Sequence, residues 1–421
     1  MDLYIQSVMA KTIKSVLIIG FVWPEPSSSA AGRRMMQLIS FFRNQDWEIT
    51  FASTAKKSEF TVDLSAFGIA CESIKVNDAG FDAFIHKLDP DLVLFDRFMT
   101  EEQFGWRVHA QCPEAVRVLD TEDLHSLRYA REESFRKNDD RIHSYLSSDI
   151  AKREIASIHR CDLSLIISES EIHLLHDFYK VKPEILLYLP YMLEPVTVDD
   201  RSKWPGFEER VGFMTIGNFR HKPNLDAVEF LRTEIWPIIR KSLPDALMNV
   251  YGAYPRQQVK EWDKPSDGFL ICGRVDDANI VSRKARLCLA PIRFGAGLKG
   301  KLVEAMLNGT PSVTTSMGAE GIHGAMDWPG AIADNPATFA EAAVESYTNS
   351  SIWTAAQLRG CSIINERFSK SRFYSIFLNR LSRINSELEL HRSNNFIGAM
   401  LMHHTMASTR FMSRWIEEKN R

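Results

Sequence analysis

Short runs of consecutive apolar residues alternate along this chain with longer stretches in which apolar residues recur every three or four positions. Residues 15–20, 49–52, 92–96, 116–120, 163–168 and 185–190 are runs of the first kind. Such runs predict strands buried on both faces. Between them the period changes to that of a helix. After 15–20, for example, Met35, Leu38, Ile39 and Phe42 mark a single face. A second alternation begins at 211–217 and continues through 246–251, 268–273, 287–290 and 312–315, and residues 336–384 read as helical. Repeated strand–helix units predict mostly parallel sheets with helices on both faces.

The two series are separated by residues 196–210, which hold Asp199, Asp200, Pro205 and Gly206 among mostly polar neighbours and read as a linker. The expected organisation is a first Rossmann-like α/β domain over 1–195, with 1–14 a loose lead-in, a second over 211–385, and a helical tail over 386–421. In that tail Phe396, Met400, Ala407, Phe411 and Trp415 fall near helical spacing, and basic residues exceed acidic ones by one. A helix packed on the body is the expectation, with an interfacial membrane helix as the alternative.

A chain of 421 residues is too long for one ordinary core, which agrees with two domains. Apolar content of 45% and charged content of 25% describe an ordinary globular protein, and a net charge of −3 gives no reason to expect nucleic acid. The six cysteines are scattered with no Cys-x-x-Cys pair, which suits buried thiols in a reducing compartment. No apolar run approaches the roughly 18 residues of a membrane span, and the first residues, with Asp2, Gln6, Lys11 and Lys14, lack a signal-peptide pattern. A cytoplasmic protein is expected, with the inner face of the membrane as a place it can work.

The candidate chemistry centres on residues 291–311. The run 287–290 leads into a loop with Gly295, Gly297 and Gly300. A helix follows with Leu298, Leu302, Val303, Met306 and Leu307 on one stripe, and it stops at Gly309-x-Pro311. A glycine loop opening a helix suits an anion, because N–H groups and the helix dipole point at it. Arg293, Lys299 and Lys301 bring positive charge there, and Glu304 lies one turn further in. A diphosphate is the expected ligand. Gly318 and Glu320 follow the next strand and face either the ligand or a tight turn. In the first half, Asp123 and His125 follow a strand end in a stretch dense in ionisable groups, a ligand-facing position; the other reading is a helix start with an aspartate cap. Gly32 and Arg33 sit in another strand-end loop, where open α/β sheets bind ligands, although Arg33-Arg34 reads equally as surface charge. Asn224 and Asp226 read as ligands or as caps.

Other signals carry no site. Asp89-Pro90-Asp91 precedes its strand and reads as a turn rather than a metal motif. His173 and His176 have no third ligand nearby, and His403 and His404 are adjacent.

Residues Arg293-x-Gly295-x-Gly297-x-Lys299-x-Lys301-x-x-Glu304-Ala305-Met306-x-x-Gly309-x-Pro311, continuing to Gly318-x-Glu320-Gly321, resemble the family-4, or group 1, glycosyltransferases of GT-B fold. The segment Gly217-Asn218…His221-x-Pro223-Asn224 is similar to the start of their C-terminal domain. The resemblance is strong over 211–322 and weak over the first half. It implies two Rossmann-like domains facing each other across a cleft. It also implies transfer of a hexose from a nucleotide sugar to a glycan or lipid-linked acceptor, in surface glycan or glycolipid synthesis, with retained anomeric configuration and no metal or cofactor.

The resemblance assigns Glu304 to the donor ribose and places Gly217, Asn218, Arg220, His221, Gly295, Gly297, Gly318, Glu320 and Gly32 around the donor. The family's basic pair would fall near Arg220 and Lys222, where the spacing differs, so Arg293 and Lys299 are expected to take over the phosphate role. On the facing domain, Asp123 or His125 would orient the acceptor hydroxyl or contact the donor sugar. The family's other glutamate would fall at 296, where this chain has Ala296. That departure leaves recognition of the donor sugar open. A sugar-nucleotide epimerase and an inactive scaffold of the same fold are the alternative functions.

Overall fold

The computed structural model describes residues 12–419, with backbone only for 405–407. Most of the lead-in expected over 1–14 thus lies outside the described residues, as do the Ala407 side chain and Arg421. Two parallel sheets form the frame. The first joins β1 (Ser15–Gly20), β2 (Glu48–Ser53), β3 (Ala70–Ser73), β4 (Leu92–Asp96), β5 (Val116–Asp120), β6 (Leu163–Ile166) and β7 (Leu186–Tyr188) in the order β3-β2-β1-β4-β5-β6-β7. The second joins β8 (Phe213–Ile216), β9 (Met248–Tyr251), β10 (Phe269–Gly273), β11 (Leu287–Ala290), β12 (Ser312–Thr314) and β13 (Gly330–Ile332) in the order β10-β9-β8-β11-β12-β13. Every pairing is parallel, and all five residues of β4 and of β5 are buried. That burial is why these strands read as continuous apolar runs.

Two strands escaped the sequence reading, β3 and β13. Both are sheet edges, and none of the residues of either is fully buried. An edge strand half in water needs no apolar run.

The linker is anchored rather than loose. Thr197 and Asp200 form a capping box, and Arg210 is fully buried, donating to Thr310 Oγ1 and the Asn308 carbonyl at 2.8 Å each. A second crossing lies beside it: Leu193 N donates to the Phe368 carbonyl and Lys370 N to the Leu193 carbonyl, both at 2.8 Å.

Residues 370–385, assigned from the sequence to the second domain, pack elsewhere. The helix Lys370–Ser386 sends Phe373, Phe377, Leu381 and Ile384 into the core of the first domain, where Phe377 stacks on Phe41. Periodicity marks an apolar stripe but not the sheet that it covers. The tail continues along the first domain as the helix Phe396–Lys419. Arg392 holds Asp162 at 2.8 Å, Asn395 Nδ2 donates to the His159 carbonyl at 2.7 Å, and Arg107 binds Ser413 and Glu417.

Candidate active site

The carboxyl ends of the two sheets face each other across a cavity of about 560 Å³. From the second domain come the Gly217–His221 loop, the glycine loop 295–300, Lys301 and Glu304; from the first come Gly32, Arg33, Asp123 and His125. The structure thus gathers in one place most of what the sequence marked in two separate halves. The glycine loop is bent by left-handed backbone at Gly297 (φ 61°), and a Cβ there would lie 2.8 Å from Asp123 Cβ. Glycine is required because the two domains touch at that point. At Gly300 a Cβ would lie 2.8 Å from Ala30 Cβ.

The electrostatics favour an anion beside the loop. Lys299 and Lys301 both line the cavity, and burial lowers each to about 8. Lys299 Nζ donates to the Gly297 carbonyl at 3.0 Å and lies 3.9 Å from Glu320 Oε2. Burial raises the pKa of Glu304, against the pull of Arg33, whose guanidinium lies 2.8 Å from it across the cleft. Opposite, burial pushes Asp123 up, but Arg128, His125 and His221 outweigh that and hold it well below the usual carboxylate range. Burial takes His125 down to about 3 and His221 to about 4, so both imidazoles are neutral near pH 7. A neutral His125 suits hydrogen bonding to a sugar hydroxyl better than taking a proton from one.

Three expected site residues do not line the cavity. Arg293 turns away from it and forms a paired ion bridge with Asp226, at 2.6 and 2.9 Å, stacked between Phe135 and Phe230. Its charge is already met there, away from the cavity where the expected phosphate role would place it. Glu320 is held by Arg131 at 2.6 and 2.7 Å and acts on the cavity only through Lys299. Gly318 sits in the short helix Ser316–Ala319 capped by Thr315, where a Cβ would meet Thr314 Oγ1 at 2.0 Å. Asn224 Nδ2 donates to the Asn218 carbonyl at 3.0 Å and supports the Gly217–His221 loop. Arg33 and Arg34 part company: Arg34 is fully buried on Asp120 and the Leu189 carbonyl. Asp91 accepts from Lys14 N and Ser15 N at the far end of β4, as the turn reading expected.

The sequence reading missed several cavity residues: Asp96 at the end of β4 and Arg97 just past it, Glu122 after β5, Tyr254 after β9 and Arg274 after β10. All lie at or just past the carboxyl ends of strands, which was the available signal. Tyr254 Oη is 2.9 Å from Glu25 Oε2, and Arg274 reaches Ser27 Oγ at 3.0 Å, so these residues also bind the domains together. Glu171 was missed too, on a helix outside the cavity. Its Oε1 accepts from Leu124 N of the first domain and Gly297 N of the second, each at 2.9 Å. Glu154 caps the same helix start, accepting from His125 N and Ser126 N at 2.9 Å each.

Two Rossmann-like domains closing on a shared cleft at their strand ends define the GT-B class. Solved GT-B structures overlay nearly the whole chain at low identity. Sucrose-phosphate synthase from Thermosynechococcus elongatus is 15% identical with a TM-score of 0.65, covering 88% of this chain and 98% of its own. Anabaena HepE in complex with UDP-glucose is 13% identical at 0.65, covering 88% and 99%. WaaG, a glycosyltransferase involved in lipopolysaccharide biosynthesis, is 13% identical at 0.58, covering 89% and 99%. No curated protein matches the chain. The family model of glycosyl transferases group 1 matches residues 210–349, and the second domain is of that type, as the glycine-loop residues indicated.

Proposed function

We propose that this chain moves a sugar from a nucleoside-diphosphate sugar to an acceptor hydroxyl, with the donor on the second domain and the acceptor on the first. The observation that carries the reading is the union, in one cavity, of the glycine loop, Lys299, Lys301 and Glu304 with Asp123 and His125 on the opposite wall. Glu304 would accept from the ribose hydroxyls. Lys299, Lys301 and Arg33 would meet the charge that develops on the departing diphosphate, which is where preorganised positive groups accelerate transfer most. With that countercharge supplied by side chains, the reading calls for no metal. His125 would hold a donor hydroxyl and help set the sugar's orientation. We take the reaction to retain anomeric configuration, in synthesis of a surface glycan or glycolipid, following the family-4 resemblance and the match of the second domain to group 1 enzymes. HepE was crystallised with UDP-glucose, which makes UDP sugars the first donors to try.

The tail supports work at the inner face of a membrane. Phe396, Phe411 and Trp415, on one side of the last helix, are 74%, 67% and 60% exposed, with Met400 beside them and Arg410 and Arg414 exposed along the edge. Apolar residues flanked by cations suit an anionic lipid surface. No described helix is long and apolar enough to cross a membrane.

A thermal-shift screen of UDP and GDP sugars, followed by product analysis with and without acceptor, tests the transfer reading. Donor-dependent stabilisation and acceptor-dependent release of nucleotide are expected. An epimerised sugar formed from donor alone would overturn it.

A further inference from the structure

The first-domain wall of the cavity holds a corner whose residues have no role in the transfer reading above. At its back, Asp96 is 4% exposed, and its Oδ1 is buried without a hydrogen-bond partner, while Oδ2 accepts from Phe21 N at 2.9 Å. An unmatched buried carboxylate oxygen on a cavity wall is costly unless a ligand satisfies it. Beside it, Arg97 (φ 68°) and Glu122 (φ 61°) both sit in left-handed backbone at the ends of neighbouring strands, and both line the cavity. Non-glycine residues held in that region cluster at ligand sites. The Arg97 guanidinium lies over the Phe21 ring, 5.2 Å from its centroid and 3.6 Å from Asp96 Oδ2, and Phe21 is 40% exposed at the cavity.

The geometry points to this corner, formed by Phe21, Asp96, Arg97 and Glu122, as the acceptor subsite, built for the hydroxyls and C–H face of an uncharged sugar. This rests on the transfer reading above. The charge balance argues for a neutral ligand. Arg97 lies 3.6 Å from Asp96, Asp120 is consumed by Arg34, and burial raises both Asp96 and Glu122, the latter, with Asp120 beside it, to about 8, so the corner holds no surplus of negative charge. The corner therefore offers the acceptor oxygens of Asp96, a carboxylic acid donor on Glu122 near neutral pH, and guanidinium donors, around an aromatic ring. Sugar hydroxyls both donate and accept and so match that set, whereas a phosphate would need surplus positive charge. The sugar could end a free glycan or a lipid-linked one; the chemistry of the corner is the same for both.

The test is saturation-transfer NMR on the full chain with UDP or GDP bound, using methyl and octyl glycosides of glucose, galactose, mannose and N-acetylglucosamine. At least one glycoside should bind wild type. Affinity should fall about tenfold or more in Asp96→Asn, Glu122→Ala and Phe21→Ala, and Glu122→Gln, which keeps a neutral donor, should restore most of it. Nucleotide affinity should stay within about twofold throughout, which also reports that each variant is folded. A preference for octyl over methyl glycosides identifies a lipid-linked acceptor, and equal affinity a free glycan end. Glycoside affinity unchanged in all three variants, or no glycoside bound by a wild type that binds nucleotide, overturns the subsite. Absence of nucleotide binding by wild type overturns the transfer reading itself.

Discussion

Arg33, on the first helix of the first domain, lies 2.8 Å from Glu304, on the helix that follows the glycine loop of the second. The carboxylate proposed for the donor ribose is thus engaged by a cation from the facing domain. Ribose hydroxyls would take over Glu304 and free Arg33 to meet the diphosphate. Arg33→Ala should therefore weaken nucleotide binding by about tenfold, the loss of one charge-assisted contact. Calorimetry measures it; unchanged or tighter binding would show that Arg33 only blocks the site.

Lys299 gives a pH dependence. Burial lowers its pKa to about 8, and Glu320 pulls the other way. The lysine must be protonated to bind the diphosphate, so kcat/KM for the donor should fall as pH rises through about 8. Glu320→Gln removes the supporting charge and should move that falling limb to lower pH. A limb that stays in place in the Glu320→Gln profile would separate Glu320 from the site.

Glu154 and Glu171 tie the Asp123–His125 loop in place. Desolvation raises Glu154 to about 7 and Glu171 to about 8, above the usual carboxylate range near 4.5. In the unfolded chain both release their protons near that lower value. Their contribution to stability is thus complete below about pH 4.5 and declines as pH rises towards 8. The melting temperature should drop across that window, and the Glu154→Gln/Glu171→Gln pair should flatten the slope. A slope equal to wild type would place the pH response elsewhere.

The tail predicts surface binding without insertion. Wild type should co-sediment with phosphatidylglycerol vesicles and less so with phosphatidylcholine. Phe411→Ser/Trp415→Ser should lose most of that binding with the melting temperature unchanged, because both side chains are exposed. Equal recovery of variant and wild type with the vesicles would remove the membrane role.

Both sheets were legible because their central strands are buried on both faces, and the glycine loop was legible because its glycines, lysines and glutamate are contiguous. What stayed hidden depends on pairing across the chain. Arg293 looks like a phosphate ligand until Asp226, on the helix Lys222–Phe230, takes its charge. Glu171 looks like an ordinary helical glutamate until folding places it between Leu124 N and Gly297 N. The helix Lys370–Ser386 shows its apolar stripe but not that Phe41 and Phe42 are its partners. Arg97 and Glu122 carry backbone strain of about 1–3 kcal/mol each, and no residue type announces a left-handed arginine or glutamate.

The central claim is that Lys299 and Glu304 hold the diphosphate and ribose of a nucleotide sugar. The most direct measurement is calorimetric titration of UDP and GDP into wild type, Lys299→Ala and Glu304→Ala. One nucleotide should bind wild type and bind each variant about tenfold or more weakly, with both variants folded by circular dichroism. Neither nucleotide binding wild type, or near-normal affinity in either folded variant, would contradict it.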